Sequence, residues 1–179
     1  PLPPRQERDP RAGFQTDDPA RYRALIEKLC AAAPPLAEWV EPLASGSARV
    51  VLTGQQPALL GGPLYTLYKA WTAIVAARRL RGEGTPAIAA FYCVGDDTDY
   101  DEVATVAWPV RGRPPARVKE AQGHAGERIG GLPTARMRSA LERLAGEWPD
   151  APAVLASLNR ILDDPSVVDW SAFLRRLLL

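Results

Sequence analysis

The segment from residue 49 to residue 102 constrains the fold more than any other part of the sequence. It contains two short apolar runs, residues 49–52 and 86–94, and polar residues follow each of them. Between the runs, large apolar residues recur at helical spacing, which predicts a helix that begins near Pro63. Because both runs are apolar throughout, we predict two buried parallel strands joined by a helix, the βαβ unit of an α/β protein.

The predicted helix carries one apolar face, which we expect to pack in the core. The members of this face are Leu64, Leu67, Tyr68, Trp71, Ile74 and Val75. The Trp and Tyr residues of the whole chain lie mostly at helical spacings, and we expect most of them in the core as well. Gly82 is expected to cap the helix at its C-terminal end.

The rest of the sequence predicts mainly helices and loops. Apolar spacing predicts helices at about residues 19–33, 135–147, 152–162 and 166–179, and a short helical stretch at 36–43. Residues 102–110 predict a third strand or a sheet edge, and residues 111–133, rich in Gly, Pro and Arg, predict a loop. We expect residues 1–18 to be poorly ordered, and the apolar helical end at Leu179 suggests the N-terminal part of a larger protein.

Charge and cysteine content argue against several classes of protein. The net charge of +1 gives no electrostatic reason to expect binding to nucleic acid or to an anionic membrane. No apolar run reaches the roughly 18 residues that a membrane span needs. Cys30 and Cys93 lie far apart, and no secretory leader is visible, so we expect free thiols in a reducing, cytoplasmic compartment.

Thr53, Gly54, Gln55 and Gln56 follow the first predicted strand, and we expect them to end it. Ligands of open parallel sheets bind outside the carboxyl ends of the strands. Gly54 permits a turn and a close ligand, while the Gln amides donate and accept hydrogen bonds without charge. The helix start after Gly62 is expected to offer free N–H groups to an anion. The alternative is a polar surface turn without a ligand.

Five carboxylates follow the second predicted strand, and their mutual repulsion is usually offset by a metal, a cationic partner or solvent. They are Asp96, Asp97, Asp99, Asp101 and Glu102. This position favours a site for an amine, a sugar hydroxyl or Mg²⁺, and the alternative is a solvated acidic turn. The spacing does not fit an EF-hand, and the glycines match neither the Walker loop nor the dinucleotide-binding fingerprint.

Lys69 lies about two turns into the predicted helix, where it forms a stripe with Tyr65 and Thr72. From there it would reach a phosphate or carboxylate near Gly54, and the alternative is a solvated lysine. We expect Cys93, inside an apolar strand, to be a core residue. His124 is the only histidine, which excludes a metal site built on histidines, and a Ser-His-acid triad would depend on this residue alone.

Three motifs of this sequence are residues 53–56, residues 62–66 with Lys69, and residues 91–102. Their order and spacing together resemble those of one family. The arrangement is similar to that of the bacillithiol-biosynthesis cysteine-adding enzymes, which are cysteine ligases. Residues 126–130 and the helices that follow resemble the family more weakly.

The resemblance implies a Rossmann-like parallel-sheet core of the kind shared by nucleotidylyltransferases and class I aminoacyl-tRNA synthetases. It also implies helical connecting elements and a C-terminal coiled coil that forms a homodimer. Residues 19–179 would then be part of that core domain. The implied reaction joins the carboxyl group of cysteine to the amino group of glucosaminyl-malate, the last step of bacillithiol biosynthesis. The cofactor stays open: ATP or another nucleotide, with or without Mg²⁺.

The resemblance also implies roles for individual residues. Asp97 and Asp99 would be catalytic, because they would hold or deprotonate the amine. The residues that would bind substrate or nucleotide are Thr53, Gly54, Gln55, Gln56, Gly62, Tyr65, Lys69, Asp96 and Glu102. No residue is assigned to a metal.

Thr98 departs from the family, whose acidic motif carries a histidine at this position. Threonine forms hydrogen bonds but does not titrate near neutral pH, so it cannot replace a histidine as a proton carrier. Two alternatives therefore stay open. One is a non-catalytic or divergent module of the same fold that binds a nucleotide or a sugar. The other is a nucleotidyltransferase with a different substrate.

Overall fold

The computed structural model describes residues 18–31, 34–120, 126–148 and 151–178. The disorder expected for residues 1–18 therefore concerns a segment that lies, apart from Asp18, outside the described residues. The expectations for His124 also fall outside them. Among the described residues, no helix is both long enough and apolar enough to cross a membrane.

The described residues form helices and short strands, with the strands in the middle of the chain and three helices at its end. The helices are α1 (Pro19–Ala31), α2 (Val40–Ala44), α3 (Leu64–Gly82), α4 (Tyr100–Val103), α5 (Ala135–Glu147), α6 (Pro152–Asp163) and α7 (Trp170–Leu178). The strands are β1 (Arg49–Gln55), β2 (Ala87–Cys93), β3 (Thr105–Trp108) and β4 (Ala116–Lys119). Short 3₁₀ helices cover Pro34–Trp39, Leu59–Gly61 and Ile129–Gly131.

Strands β1 and β2 form the predicted parallel pair, with α3 between them in the chain. At one end of the pair the Arg49 N–H donates to the carbonyl oxygen of Pro86, 2.8 Å away. At the other end the Val94 N–H donates to the carbonyl oxygen of Gln55 at 3.1 Å. Both strands therefore run in the same direction, which confirms the predicted parallel pair of an α/β protein.

The third strand predicted within residues 102–110 is confirmed as β3, although the end of α4 precedes it. Two other expectations were wrong. Strand β1 does not end at Leu52 but continues through Gln55. The predicted loop at 111–133 contains β4 and a 3₁₀ helix. Strand β4 pairs antiparallel with β3, with Val118 opposite Val106. Residues 116–119 alternate apolar and charged side chains, but four positions are too few for a clear strand pattern. Their pairing with β3 determines their structure.

The chain divides into two compact units, each of which has its own apolar core. The first unit comprises Pro1–Val51 and Val75–Ile88, and the second comprises Leu52–Ile74 and Ala89–Leu179. In the first unit the buried residues Ile26, Cys30, Leu43 and Ala48 form a small cluster. In the second unit the core extends over β3, β4, α5, α6 and α7, and the fully buried Trp170 and Phe173 are its largest side chains.

The apolar face expected for α3 is not a core face. Tyr68 and Trp71 are about 61% and 59% exposed, and Leu64 and Val75 are exposed as well. The buried positions of the helix are instead small residues, Thr66, Ala73 and Ala77. Small side chains let a helix approach its neighbours closely. This helix therefore packs with the face that carries its small residues, and its aromatic residues are exposed to solvent.

Exposure also corrects the expectations for the strands and the other aromatic residues. Leu52 is 68% exposed and Val50 is exposed too, so β1 is not buried on both faces. Tyr65 and Tyr92 are exposed, whereas Tyr100, Trp148 and Trp170 are buried as expected.

Gly82 is the last residue of α3, but it does not adopt the left-handed conformation of a glycine cap. Gly84, two residues later, has that conformation, with φ at +83°. The Gly84 N–H donates to the carbonyl oxygen of Arg81, which closes the end of the helix.

Candidate functional site

A continuous chain of hydrogen bonds joins the Gln-rich end of β1 to α3. The ammonium group of Lys69 donates to the carbonyl oxygen of Gly54 at 2.9 Å and to Oε1 of Gln55 at 2.8 Å. Nε2 of Gln55 in turn donates to Oε1 of Gln56 at 2.8 Å. Lys69 thus holds both the backbone and the side chain at the end of the strand.

The same chain of hydrogen bonds continues into the acidic segment. Nε2 of Gln56 donates to Oδ2 of Asp97 at 3.0 Å and to Oε2 of Glu102 at 3.1 Å. One amide group therefore bridges two carboxylates that are five positions apart in sequence. Gln55 and Gln56 at the end of β1 and the acidic segment after β2 therefore meet in one site.

The two ends of this chain determine the orientation of both Gln amides. An ammonium group only donates hydrogen bonds, and an ionised carboxylate only accepts them. Gln55 must therefore turn its oxygen toward Lys69, and Gln56 must turn its NH₂ group toward Asp97 and Glu102. Reversing either amide would place two donors or two acceptors against each other.

Asp97 is the carboxylate that the site holds most firmly. Its Oδ1 accepts the backbone N–H of Asp99 at 3.0 Å, and its Oδ2 accepts the amide of Gln56. The Asp99 N–H, and then Gln56, hold the pKa of Asp97 below its usual range, while partial desolvation opposes them. Asp97 is therefore an anion at neutral pH and a weak base.

The segment at residues 129–130, for which the sequence indicated no role, forms backbone hydrogen bonds with the acidic segment. The Ile129 N–H donates to the carbonyl oxygen of Asp97, and the Gly130 N–H donates to that of Gly95, both at 2.8 Å. Gly130 has no room for a side chain, because a Cβ there would lie 2.7 Å from Cα of Gly95. The sequence signal for this role was the weak family resemblance of residues 126–130.

Gly54 is required by packing between strands and not by a turn. It lies inside β1, where an added Cβ would approach the carbonyl oxygen of Tyr92 in β2 to 2.6 Å. The expectation of a backbone turn at this glycine was therefore wrong. The absence of a side chain lets the two strands approach each other next to the site.

Gly62 does not offer the free N–H group that was expected at the start of α3. Its N–H donates to the carbonyl oxygen of Leu59 at 2.9 Å, and Gly62 is buried. Its φ of +72° and the nearby Cβ of Ala58 explain why the position holds glycine. An anion contact at Gly62 would need this hydrogen bond to break.

The remaining predicted site residues lie at different distances from the hydrogen-bonded chain. The ring of Tyr65 lies beside the network, with the Lys69 ammonium 4.7 Å from the ring centroid, a cation–π contact. Asp96 and Asp99 are exposed, and Thr98 is exposed as well. Among the described residues, no three His, Cys, Asp or Glu side chains converge as a metal site.

Thr53 faces a cavity of about 680 Å³ within the second unit of the chain. Cys93 and Ser171 line the same cavity, and the Cys93 thiol donates to Oγ of Ser171 at 3.7 Å. Burial raises the pKa of Cys93, so the group is a neutral thiol and not a thiolate nucleophile. Cys93 is half-buried at the cavity wall instead of in the core, and both cysteines are free as expected.

Comparison with known proteins places this site in a described family. The family model for the "Bacillithiol biosynthesis BshC, N-terminal Rossmann-like domain" matches residues 23–175, which include every residue of the network. The chain belongs to the BshC family. This agrees with the resemblance carried by the three motifs of the sequence.

Several curated BshC relatives match the same region. A protein of Halalkalibacterium halodurans named "Putative cysteine ligase BshC" is 40% identical over 100 residues, 54% of this chain and 19% of the relative. The protein of that name from Desulforamulus reducens is 37% identical over 112 residues, 62% of this chain and 21% of the relative. The matched part therefore covers about a fifth of the length of these relatives.

Proposed function

We propose that this chain forms part of the catalytic domain of a cysteine ligase. In the proposed reaction, the ligase joins the carboxyl group of cysteine to the amino group of glucosaminyl-malate, the last step of bacillithiol biosynthesis. The observation that supports this most is the bridge from Gln56 to Asp97 and Glu102, which lies inside the family-matched residues. It presents two carboxylates in a defined geometry at the end of a parallel strand pair, where Rossmann-like folds bind ligands.

Amide formation suggests different roles for the two proposed catalytic aspartates. The ammonium group of the substrate first loses one proton and becomes a neutral amine. The amine nitrogen then attacks the carbonyl carbon of an activated carboxyl group, the leaving group departs with its bonding electrons, and the nitrogen loses a second proton. Asp97 has a lowered pKa and is therefore suited to hold the ammonium form of the substrate, not to remove its proton. Asp99 is exposed beside it and is the proposed proton acceptor.

The neighbouring residues would shape the pocket around this centre. Gln55 and Gln56 would orient the polar groups of the substrate, and Lys69 would keep both amides in their productive orientation. Tyr65, Thr53, Asp96 and Glu102 would complete the binding surface. A nucleotide such as ATP, with or without Mg²⁺, would supply the activation that a free carboxylate lacks.

A full-length protein of this family would bring further parts to the reaction. We propose that it acts in the cytoplasm as a homodimer joined by a coiled coil. These properties belong to the whole protein and not to the residues described by the structure.

Replacing Asp97 tests the proposed function. Asp97→Asn in the full-length protein should lower ligase turnover by at least about 100-fold, because the neutral amide cannot hold an ammonium group. The measurement is the rate of bacillithiol formation from cysteine and glucosaminyl-malate. Glu142→Gln on the exposed face of α5 removes one carboxylate elsewhere and should leave the rate unchanged. Normal bacillithiol formation by Asp97→Asn would rule out the proposed role of this carboxylate.

Thr98 favours one alternative, a binding module of the same fold without ligase activity. The position is exposed beside Asp97 and carries no group that titrates near neutral pH. Restoring the family histidine with Thr98→His should raise ligase activity strongly if the chain comes from a weakened ligase. An unchanged rate, together with retained nucleotide or sugar binding, would favour the binding module.

A further inference from the structure

The solvent face of β4 carries a group of basic residues, three of which lie within residues 113–119 of the sequence. Ala116 and Val118 are buried, so the alternation of the strand turns Arg117 and Lys119 outward. Arg113 precedes the strand, and α5 brings Arg143 to the same place from 24 positions beyond Lys119. Together they surround an open concavity of about 650 Å³.

The charges in this concavity are unbalanced. Its lining residues are Arg113, Arg117, Val118, Lys119, Arg143, Gly146 and Glu147. Four cations and one carboxylate give the lining a formal charge of +3, and the neighbouring carboxylates of Asp101 and Glu120 reduce the local sum to +1. The concavity therefore keeps a net positive charge.

Two of the four cations already have carboxylate partners at the margin. Lys119 lies 3.5 Å from Asp101, and Arg143 lies 3.6 Å from the nearly buried Glu120. Arg113 and Arg117 make no side-chain hydrogen bond or ion pair with the residues that the structure describes. Within the described part of the chain, their guanidinium groups are therefore not engaged by another side chain.

We propose that this concavity, which we call the β4–α5 basic site, binds a multiply charged phosphate anion. A guanidinium group donates two parallel hydrogen bonds to a phosphate, and two free guanidinium groups suit a ligand with more than one phosphate. A volume of about 650 Å³ accommodates an oligophosphate or a nucleotide. The shared chemistry is the phosphate chain, whether it is free or attached to a nucleoside. This proposal does not depend on the ligase activity.

Calorimetric titration of the protein at low ionic strength tests the site. The ligands are inorganic tripolyphosphate, ATP and adenosine. We expect tripolyphosphate and ATP to bind, adenosine not to bind, and added salt to weaken binding because the contacts are exposed. Equal affinities would assign the site to the phosphate chain. Tighter ATP binding that is lost in the variant Arg113→Gln with Arg117→Gln would add a contact between this site and the nucleoside. Binding of neither phosphate ligand would overturn the proposal, and so would equal binding of adenosine.

A double variant and a matched control separate this site from general charge attraction. Arg113→Gln with Arg117→Gln should weaken tripolyphosphate or ATP binding by about tenfold or more, without breaking any ion pair within the described residues. Arg78→Gln with Arg79→Gln removes the same charge from exposed positions of α3 and should leave the affinity unchanged. Unchanged affinity in the first variant, or an equal loss in both, would overturn the proposal.

Discussion

Lys69 and Asp97 lie at opposite ends of one series of hydrogen bonds, and each restricts the orientation of the side-chain amides between them. A donor-only group at one end and an acceptor-only group at the other leave Gln55 and Gln56 a single consistent orientation. The bridging amide of Gln56 also reduces the repulsion between Asp97 and Glu102. Single side chains therefore set the electrostatics of this site.

Replacing Gln56 should change the titration of Asp97. In Gln56→Ala the pKa of Asp97 should rise toward its ordinary value, but only in part, because the Asp99 N–H still donates to it. Carboxyl carbon chemical shifts followed by NMR during an acid titration measure this. Glu142→Gln is the control and should leave the Asp97 titration unchanged. A pKa of Asp97 that stayed at its original value would show that Gln56 does not stabilise the anion.

The same lowered pKa predicts a pH dependence of stability. A carboxyl group whose pKa is lower in the folded state stabilises the fold above its unfolded pKa. This contribution is lost as the pH falls through the folded pKa of Asp97, in the acid range below its ordinary value of 3.8. Denaturant midpoints measured at falling pH should therefore decrease less in Gln56→Ala than in the original protein. An identical decrease in both proteins would contradict this account.

Strands β1 and β2 position the site because they approach each other closely at Gly54. The carbonyl oxygen of Tyr92 occupies the place where a side chain would begin. Helix α3 then returns to the end of β1, where Lys69 reaches the carbonyl of Gly54. The site thus depends on the spacing between two strands as much as on its own side chains.

Gly54→Ala should destabilise the protein by about 1–3 kcal/mol, because its methyl group would lie 2.6 Å from the Tyr92 oxygen and force the strands apart. Gly146→Ala is the matched control: that helical glycine has nothing within 4 Å, so alanine should be neutral or stabilising by up to about 1 kcal/mol. Chemical denaturation of both variants gives the comparison. Equal stability of the two variants would show that β1 and β2 are not in close contact at this point.

The large apolar side chains divide unevenly between the inside and the outside of the molecule. Trp170 and Phe173 of α7 are fully buried in the core of the second unit. Tyr68 and Trp71 of α3, in the same unit, are exposed although their helical spacing is equally regular. Size and periodicity therefore do not decide which aromatic face becomes core.

Two tryptophan substitutions measure this difference. Trp170→Ala should cost about 3–5 kcal/mol in the free energy of unfolding, because it empties a closed part of the core. Trp71→Ala, at a position 59% exposed, should change it by less than about 1 kcal/mol. Thermal or denaturant unfolding of both variants provides the values. A large loss from Trp71→Ala with a small loss from Trp170→Ala would reverse the assignment of the core.

The sequence alone was sufficient to determine the βαβ unit, the three C-terminal helices and the family. Local periodicity and the order of the motifs carry that information, because they depend on residues close together in the chain. It also placed polar residues after both strands. It did not reveal the bridge from Gln56 to Asp97 and Glu102, whose partners are 41 and 46 positions apart.

Only the tertiary structure decided which groups meet and which faces are covered. Gly54, predicted in a turn, lies in a strand and contacts the neighbouring strand, and the Gly62 N–H forms a hydrogen bond within the chain. The tertiary structure left the aromatic residues of α3 exposed and placed Arg143 of α5 beside Arg113 and Arg117 around one concavity. The physical reason is that burial, hydrogen bonding and local charge depend on neighbours in space, which the pattern of residues along one segment does not specify.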